Sequence, residues 1–452
     1  MQPKLKALGV VAAVSCFVFG ESGVAHAGNV TITVAYSVTK TFNQVDKLMK
    51  TAKEEFEAAH TGANIKLEPI TVVGDAYTSK IELLDRSAST QPDVQYEDTF
   101  KIQADAQAGF LLSIQRYLSS WKDWSQFSKN AQAAGKRADG KTYGVSMGTD
   151  TRGLYYNKVL FKQAGLTVPW SPKSWADVLS AAATIKAKLP NITPINVYSG
   201  MAADEASTMQ GFEMLLYGTK DKLTNSAGKW VTGSKGFRDS LQFIHDVYQN
   251  PSGNLGPALS NALIPNIFSN ISNVWLTGST LAIDLDGSWL PRTWLPGGSH
   301  PWADWNTTLG EAPFPTEFGA APGANSMSGG YTLAVGSHSK NAALAVQFIE
   351  TALNKQNSLT YDVSSKQVAV RADVASAPTY KTTNPTAAFF SSLVPVTHFR
   401  PATTPYSNVS HQIDIAMEAV MTGIETPAQA QVGYDSALPG IVGARNTASA
   451  TK

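Results

Sequence analysis

Asn29-Val30-Thr31-Ile32-Thr33-Val34-Ala35-Tyr36 opens the stretch whose reading decides the fold. It alternates and is rich in β-branched residues, which predicts a strand. Val45, Leu48, Met49, Ala52, Phe56 and Ala59 follow at close to 3.6-residue spacing, one face of a helix, and Gly62 sits where a C-terminal cap belongs. Ile65, Leu67, Ile70 and Val72-Val73 then predict a second strand. Strand, helix and strand in this order form a βαβ unit, so the fold class is α/β with a parallel sheet flanked by helices. Residues 77–86 predict another helix, and Pro92-Asp93-Val94-Gln95-Tyr96 a short buried strand ending in Glu97-Asp98. Ligands in open α/β sheets collect at the carboxyl ends of strands. That rule places Tyr36, Glu97 and Asp98 on one rim as candidate binding residues, against the alternative of a core tyrosine and two solvated acids.

Downstream, all ten tryptophans lie between Trp121 and Trp305. Helices are predicted over 174–188, with Ser174 as N-cap and Asp177 in the first turn, and over 209–217, 236–249, 341–353 and 409–421. Ala282-Ile283-Asp284-Leu285-Asp286 predicts a strand ended by Gly287, and 331–335 another. The Asn-, Ser-, Pro- and Gly-rich stretch 254–273 and the Pro-, Gly- and Trp-rich stretch 299–323 are expected to be irregular, and 446–452 to fray. No internal repeat is present.

Composition narrows the function. The 452 residues are 43% hydrophobic and 16% charged, enough apolar content to fold and enough length for more than one domain. The net charge of +1 supplies no basic field for nucleic acid or an anionic membrane. A single cysteine, Cys16, excludes a disulfide framework, a cysteine zinc site and an iron–sulfur cluster.

The N-terminus reads as a signal peptide over 1–27: Lys4 and Lys6, an apolar run of 14 residues from Ala7 to Gly20, then Ala25-His26-Ala27 as a cleavage pattern. The run is short for a bilayer span. Two alternatives are an uncleaved anchor and a lipoprotein modified at Cys16, the latter weakened because residue 13 is not Leu and the apolar run continues past the cysteine. Removing 27 residues from 452 leaves a mature chain of 425, free of cysteine, with 34 basic and 34 acidic residues. The expected location is the periplasm.

Chemical motifs are sparse. No GxxxxGK[ST], strand-coupled GxGxxG or HExxH occurs, and no cofactor or metal is expected. Asp284-Leu285-Asp286-Gly287 lacks the further ligands of a calcium loop. Gly144-Val145-Ser146-Met147-Gly148 matches GxSxG, but an extended segment rather than a helix is expected after it, contrary to a nucleophile elbow. Spacing alone leaves a glycosidase carboxylate pair open.

The most specific stretch is Gly153-Leu154-Tyr155-Tyr156-Asn157-Lys158-Val159-Leu160-Phe161-Lys162-Gln163-Ala164-Gly165-Leu166, continuing to Pro169 and Trp175-Ala176-Asp177. It resembles the signature of the family 1 extracellular solute-binding proteins, the maltose-binding-protein-like sugar-binding subunits of ATP-driven importers. Further blocks agree in order: Pro92-Asp93-Val94 with Ala108-Gly109-Phe110-Leu111, Tyr143-Gly144-Val145 (Ser146 replacing the family's proline), Gly287-Ser288-Trp289, and Gly329-Gly330-Tyr331 with Lys340-Asn341-Ala342-Ala343 and Phe348-Ile349. The resemblance covers nearly the whole mature chain.

The resemblance implies a periplasmic-binding-protein-like fold, two α/β lobes joined by a multi-segment hinge with the ligand between them. By analogy, lobe one takes 28–147 and 333–385, and lobe two takes 148–332 and 386–452. It implies a non-enzymatic function: binding a small carbohydrate or polyol by hinge closure and delivering it to the permease subunits of an ATP-binding-cassette importer. The expected state is a monomer with no nucleic-acid partner. Trp289 is the first candidate for stacking on a sugar ring, with Tyr36 and Tyr331 as further plates. Asp98, Glu97, Asp150 and Arg152 are candidate hydroxyl partners, Gly330 (with Gly329) would bring backbone to the ligand, and Arg400 would fork onto hydroxyls or a ligand charge. Two other readings stay open: a secreted glycoside hydrolase, and a binder of a glycerol phosphate ester, which needs convergent Arg or Lys in the cleft.

Overall fold

A computed structural model describes residues 30–39, 42–72, 74–265 and 267–450, except the side chain at 75. The signal peptide expected over 1–27, Cys16 included, lies outside the described residues.

The chain forms two α/β lobes. The first is built on a five-stranded sheet in the order Ala63–Ile70, Val30–Ser37, Val94–Asp98, Tyr331–Val335, Gly144–Ser146. Val30–Ser37 pairs in parallel with both neighbours, as the βαβ reading requires. Tyr331–Val335 then enters antiparallel between Val94–Asp98 and Gly144–Ser146, setting Tyr331 opposite Asp98 and Thr332 opposite both Glu97 and Ser146. The helix Gln44–Ala59 turns Val45, Leu48, Met49, Ala52 and Phe56 inward. Phe56 meets Phe348 of the helix Ala342–Ala352 edge-on, ring centroids 5.8 Å apart. Truncating Phe56 to alanine would cost about 3–5 kcal/mol, because the seam cannot collapse around the void.

The second lobe is built on a four-stranded sheet in the order Thr193–Asn196, Leu281–Gly287, Arg152–Asn157, Leu309–Ala312. Every residue of Leu281–Gly287 and of Arg152–Asn157 is buried. Helices Trp175–Lys188, Lys235–Tyr248 and Tyr406–Met421 contribute Val178, Leu241, Ile244, Ile413 and Met417 to the core around this sheet. Ser174 caps the first of these helices in a reciprocal box with Asp177, as its sequence predicts.

Several irregular-looking stretches are ordered. Residues 254–273 contain the short helices Leu259–Ala262 and Ile267–Asn270 and run into a π-turn, Ile271–Trp275. Residues 299–323 supply Leu309–Ala312, an edge strand of the second sheet. At the C-terminus Thr447–Ser449 does not fray: it pairs in parallel with Trp230–Thr232. The two strands are held by partners distant in sequence, which local composition does not report. No helix of the described residues is long and apolar enough to cross a membrane.

Candidate functional site

The segments running between the two sheets lie against each other. Met147 N–H donates to Tyr331 O at 2.9 Å, Gly329 N–H to Asp150 Oδ1 at 2.8 Å, and Thr149 and Val368 exchange backbone bonds. Gly330 sits at φ +121° with its Cα so close to the facing segment that a Cβ would stand 2.6 Å from Gly148 O. Only glycine meets both demands, so Gly330 is set by backbone approach.

Next to these segments, between the lobes, lies a cavity of about 430 Å³. This is the size and placement of a small-molecule cleft. Its walls include Asp98, Asp150, Arg152, Trp289, Gly330, Tyr331 and Arg400. Seven of the nine residues expected from sequence therefore converge on one space. The other two do not. Tyr36 has no exposed surface; it is packed inside the first lobe with its hydroxyl on Asp46 Oδ1 at 2.9 Å. Glu97 is only 4% exposed and points the opposite way from Asp98, because successive strand side chains alternate between faces. It accepts from Gln95 Nε2 at 3.1 Å and lies near Asp105, Asp85 and Lys101; burial first, then the neighbouring acids, raises its pKa well above the usual carboxylate range. Glu97 and Asp98 thus cannot hold vicinal hydroxyls together.

The aromatic surfaces come from both lobes. Tyr331 stacks on Tyr96 with centroids 4.2 Å apart and planes at 12°, and Phe42 leans on Tyr96 from the side. Opposite, Trp289 folds back over Gly287: a Cβ there would fall 1.9 Å from the indole ring, so this glycine permits the tryptophan's pose. The Arg152 guanidinium lies 4.5 Å from the Trp289 ring centroid and fixes one face of the plate. Tyr198 and Phe268 form a further stacked pair at 4.6 Å.

Arg400 crosses the cleft. It is 8% exposed, donates from Nη2 to Asp98 Oδ1 at 2.6 Å and from Nη1 to Glu205 Oε1 at 3.4 Å, and covers the Phe100 ring at 4.1 Å. Burial opposes its charge, but Asp98 and then Glu205 more than reverse that and raise its pKa. Glu205 in turn accepts from Tyr406 and Ser410, both at 2.7 Å. Arg152 pairs with Asp150 and donates to Met327 O at 3.2 Å. Burial lowers its pKa despite Asp150 beside it.

Four buried polar atoms of the lining residues have no hydrogen-bond partner among the described residues: Tyr96 Oη, Arg152 Nε, Gln210 Oε1 and Gln367 Oε1. An unsatisfied buried polar group costs about 1–3 kcal/mol, so each is a local cost carried in the walls of the cavity.

Neither of the two remaining sequence motifs makes a centre. Ser146 ends a strand and donates to Gly148 O at 3.2 Å, and the next regular element is the strand Arg152–Asn157, not the helix of a nucleophile elbow. Asp284 and Asp286 lie within a buried strand, accepting from Asn196 and from Tyr198. Among the described residues no group of three or more His, Cys, Asp or Glu is placed to hold a metal ion.

Sequence reading missed Phe42, Tyr96, Tyr198, Glu205, Gln210, Arg292 and Gln367 as lining residues. Arg292 stands three residues beyond Trp289 and was within reach of the same argument; the others come from elements whose faces only the fold assigns.

Comparison with known proteins agrees with this architecture. Residues 41–358 match the family of bacterial extracellular solute-binding proteins. Multiple sugar-binding protein of Streptococcus mutans is 25% identical over 206 residues, 45% of this chain and 44% of that one. The chain spans about 40% of the length of the other curated relatives it matches. Among solved structures, the GacH receptor of Streptomyces glaucescens, known unliganded and with acarbose, aligns over 91% of this chain and 98% of its own at 22% identity and a TM-score of 0.74. Maltose-bound MalE3 of T. maritima aligns over 91% and 100% at 18% identity and a TM-score of 0.76.

Proposed function

The chain belongs to the bacterial extracellular solute-binding proteins, and from that premise we propose that it binds a small carbohydrate or polyol in the inter-lobe cleft and delivers it to the permease of an ATP-binding-cassette importer. The observation that carries this reading is the pairing of aromatic plates with polar side chains in one cavity: Trp289 and the Tyr96–Tyr331 stack, with Asp98, Asp150, Gln210 and Gln367 lining the same space. A sugar presents C–H faces to the plates and hydroxyls to the polar atoms. The carbohydrate ligands named for similar proteins support the same class.

The protein performs no chemistry in this role. Its work is differential affinity: ligand contacts made by both lobes are complete only in the closed form, so binding shifts the population towards it. We place the lobe limits at 28–147 with 333–385 and 148–332 with 386–452, and the protein in the periplasm after removal of 1–27. The experiment is a thermal-shift and tryptophan-fluorescence screen of monosaccharides, disaccharides and sugar alcohols. The expected result is a raised melting temperature and a fluorescence change with one or a few related members. Silence across the panel, or release of product from a glycoside, contradicts the reading.

A further inference from the structure

The charges lining the cleft are unevenly matched. Arg400 is answered by Asp98 and Glu205, and Arg152 by Asp150. Arg292 is not answered. It lines the same cavity, half-buried, with its guanidinium 4.9 Å from the Phe42 ring centroid. Among the described residues no carboxylate stands within ion-pair distance of it, and its side chain makes no hydrogen bond. The groups that face it are the tyrosines 361, 96 and 331, then Asp286. Asp286 is already occupied, accepting from Tyr198 Oη at 2.8 Å and from Gly287 N–H at 2.6 Å.

A half-buried guanidinium in a cleft with no carboxylate ion-paired to it is costly until an acceptor arrives. Its planar donor fork fits a carboxylate in bidentate fashion. We propose that the saccharide taken by this cleft carries a carboxylate, as in a uronic or aldonic acid, and that Arg292 is its counter-charge. The inference rests on the saccharide reading above and narrows it. A phosphate ester fits less well, because a dianion asks for more than one unpaired cation and the other two arginines are already neutralised.

The test is calorimetric titration and thermal shift of the full mature chain with D-glucuronate, D-galacturonate, D-gluconate and digalacturonate, against D-glucose, D-galactose, maltose and glucose 6-phosphate. It is run at low and high salt, with the Arg292→Gln variant in parallel. Expected is a uronate or aldonate bound roughly ten- to a hundredfold more tightly than its neutral parent. Salt should narrow that gap, and Arg292→Gln should abolish it while leaving weak neutral-sugar binding. Equal or tighter binding of the neutral sugars, tightest binding of the phosphate ester, or a preference that survives both salt and Arg292→Gln overturns the proposal and leaves the saccharide reading standing. No response to any member overturns both. The salt arm needs no variant, so the proposal stays falsifiable if Arg292→Gln fails to fold.

Discussion

Arg400 Nη2 lies 2.6 Å from Asp98 Oδ1, joining a residue of the second lobe to the carboxyl end of a strand in the first. The Phe100 ring beneath the guanidinium also packs edge-on to Tyr406 of the second lobe, centroids 5.7 Å apart. Lobe contact at this point is thus built from the protein's own side chains. Asp98→Asn removes the ionic half of that contact while Glu205 keeps Arg400 paired. The expected outcome is a larger radius of gyration in small-angle scattering of the free protein and ligand affinity weakened about tenfold or more, since truncating one member of a buried charge pair costs 2–5 kcal/mol at an interface. An unchanged radius and affinity would remove Arg400–Asp98 from the closure account.

Trp289→Ala takes away the plate that Arg152 holds in place. Ligand binding should weaken by roughly one to two orders of magnitude, in keeping with the loss of a buried aromatic anchor worth 2 kcal/mol or more. The protein's own melting point should move little, because Trp289 lies outside the buried cores. Calorimetry beside a thermal melt separates the two effects.

Gly330→Ala should be destabilising by about 1–3 kcal/mol from backbone strain alone, with the clash against Gly148 O in addition. Gly433→Ala, inside the helix Pro427–Val442 with nothing within 4 Å of its Cβ, serves as the control and should hold or raise stability. Equal melting temperatures for the two variants would refute the close-approach argument.

Stability should fall as pH rises from about 4 to 7. Burial raises Asp85 and Asp286 to about 6 and Asp105 to about 7. A carboxyl whose pKa is higher in the folded state binds more protons there than in the unfolded chain across that interval. Stability therefore declines with pH until the folded-state pKa is passed. The melting temperature should be higher at pH 5 than at pH 7.5, and Asp105→Asn should flatten that slope. A melting temperature that climbs through the interval contradicts this assignment.

Much of the fold was legible because its signals are local. The alternation of 29–36, the helical face from Val45 to Ala59 and the cap at Ser174 are all decided by neighbours in the chain. What escaped depends on distant partners: the edge strand Leu309–Ala312 and the Thr447–Ser449 pairing exist only once Arg152–Asn157 and Trp230–Thr232 are in place. The site divides in the same way. Trp289, Asp98 and Gly330 follow from strand ends and a glycine pair. Tyr36 and Glu97 were misplaced because proximity to a strand end does not say which face a side chain takes. Arg292 gains meaning only because no acid among the described residues is ion-paired with it, which no spacing reveals.

The central claim, that the two lobes grip a hydroxyl-rich guest between aromatic plates, is tested most directly by calorimetric titration of the best sugar from the screen into wild-type and Trp289→Ala protein, with chromatography of the recovered ligand. The account predicts saturable one-to-one binding to the wild type, a loss of roughly tenfold or more in the variant, and sugar recovered unaltered. Undiminished affinity in Trp289→Ala, or a ligand returned cleaved, would contradict it.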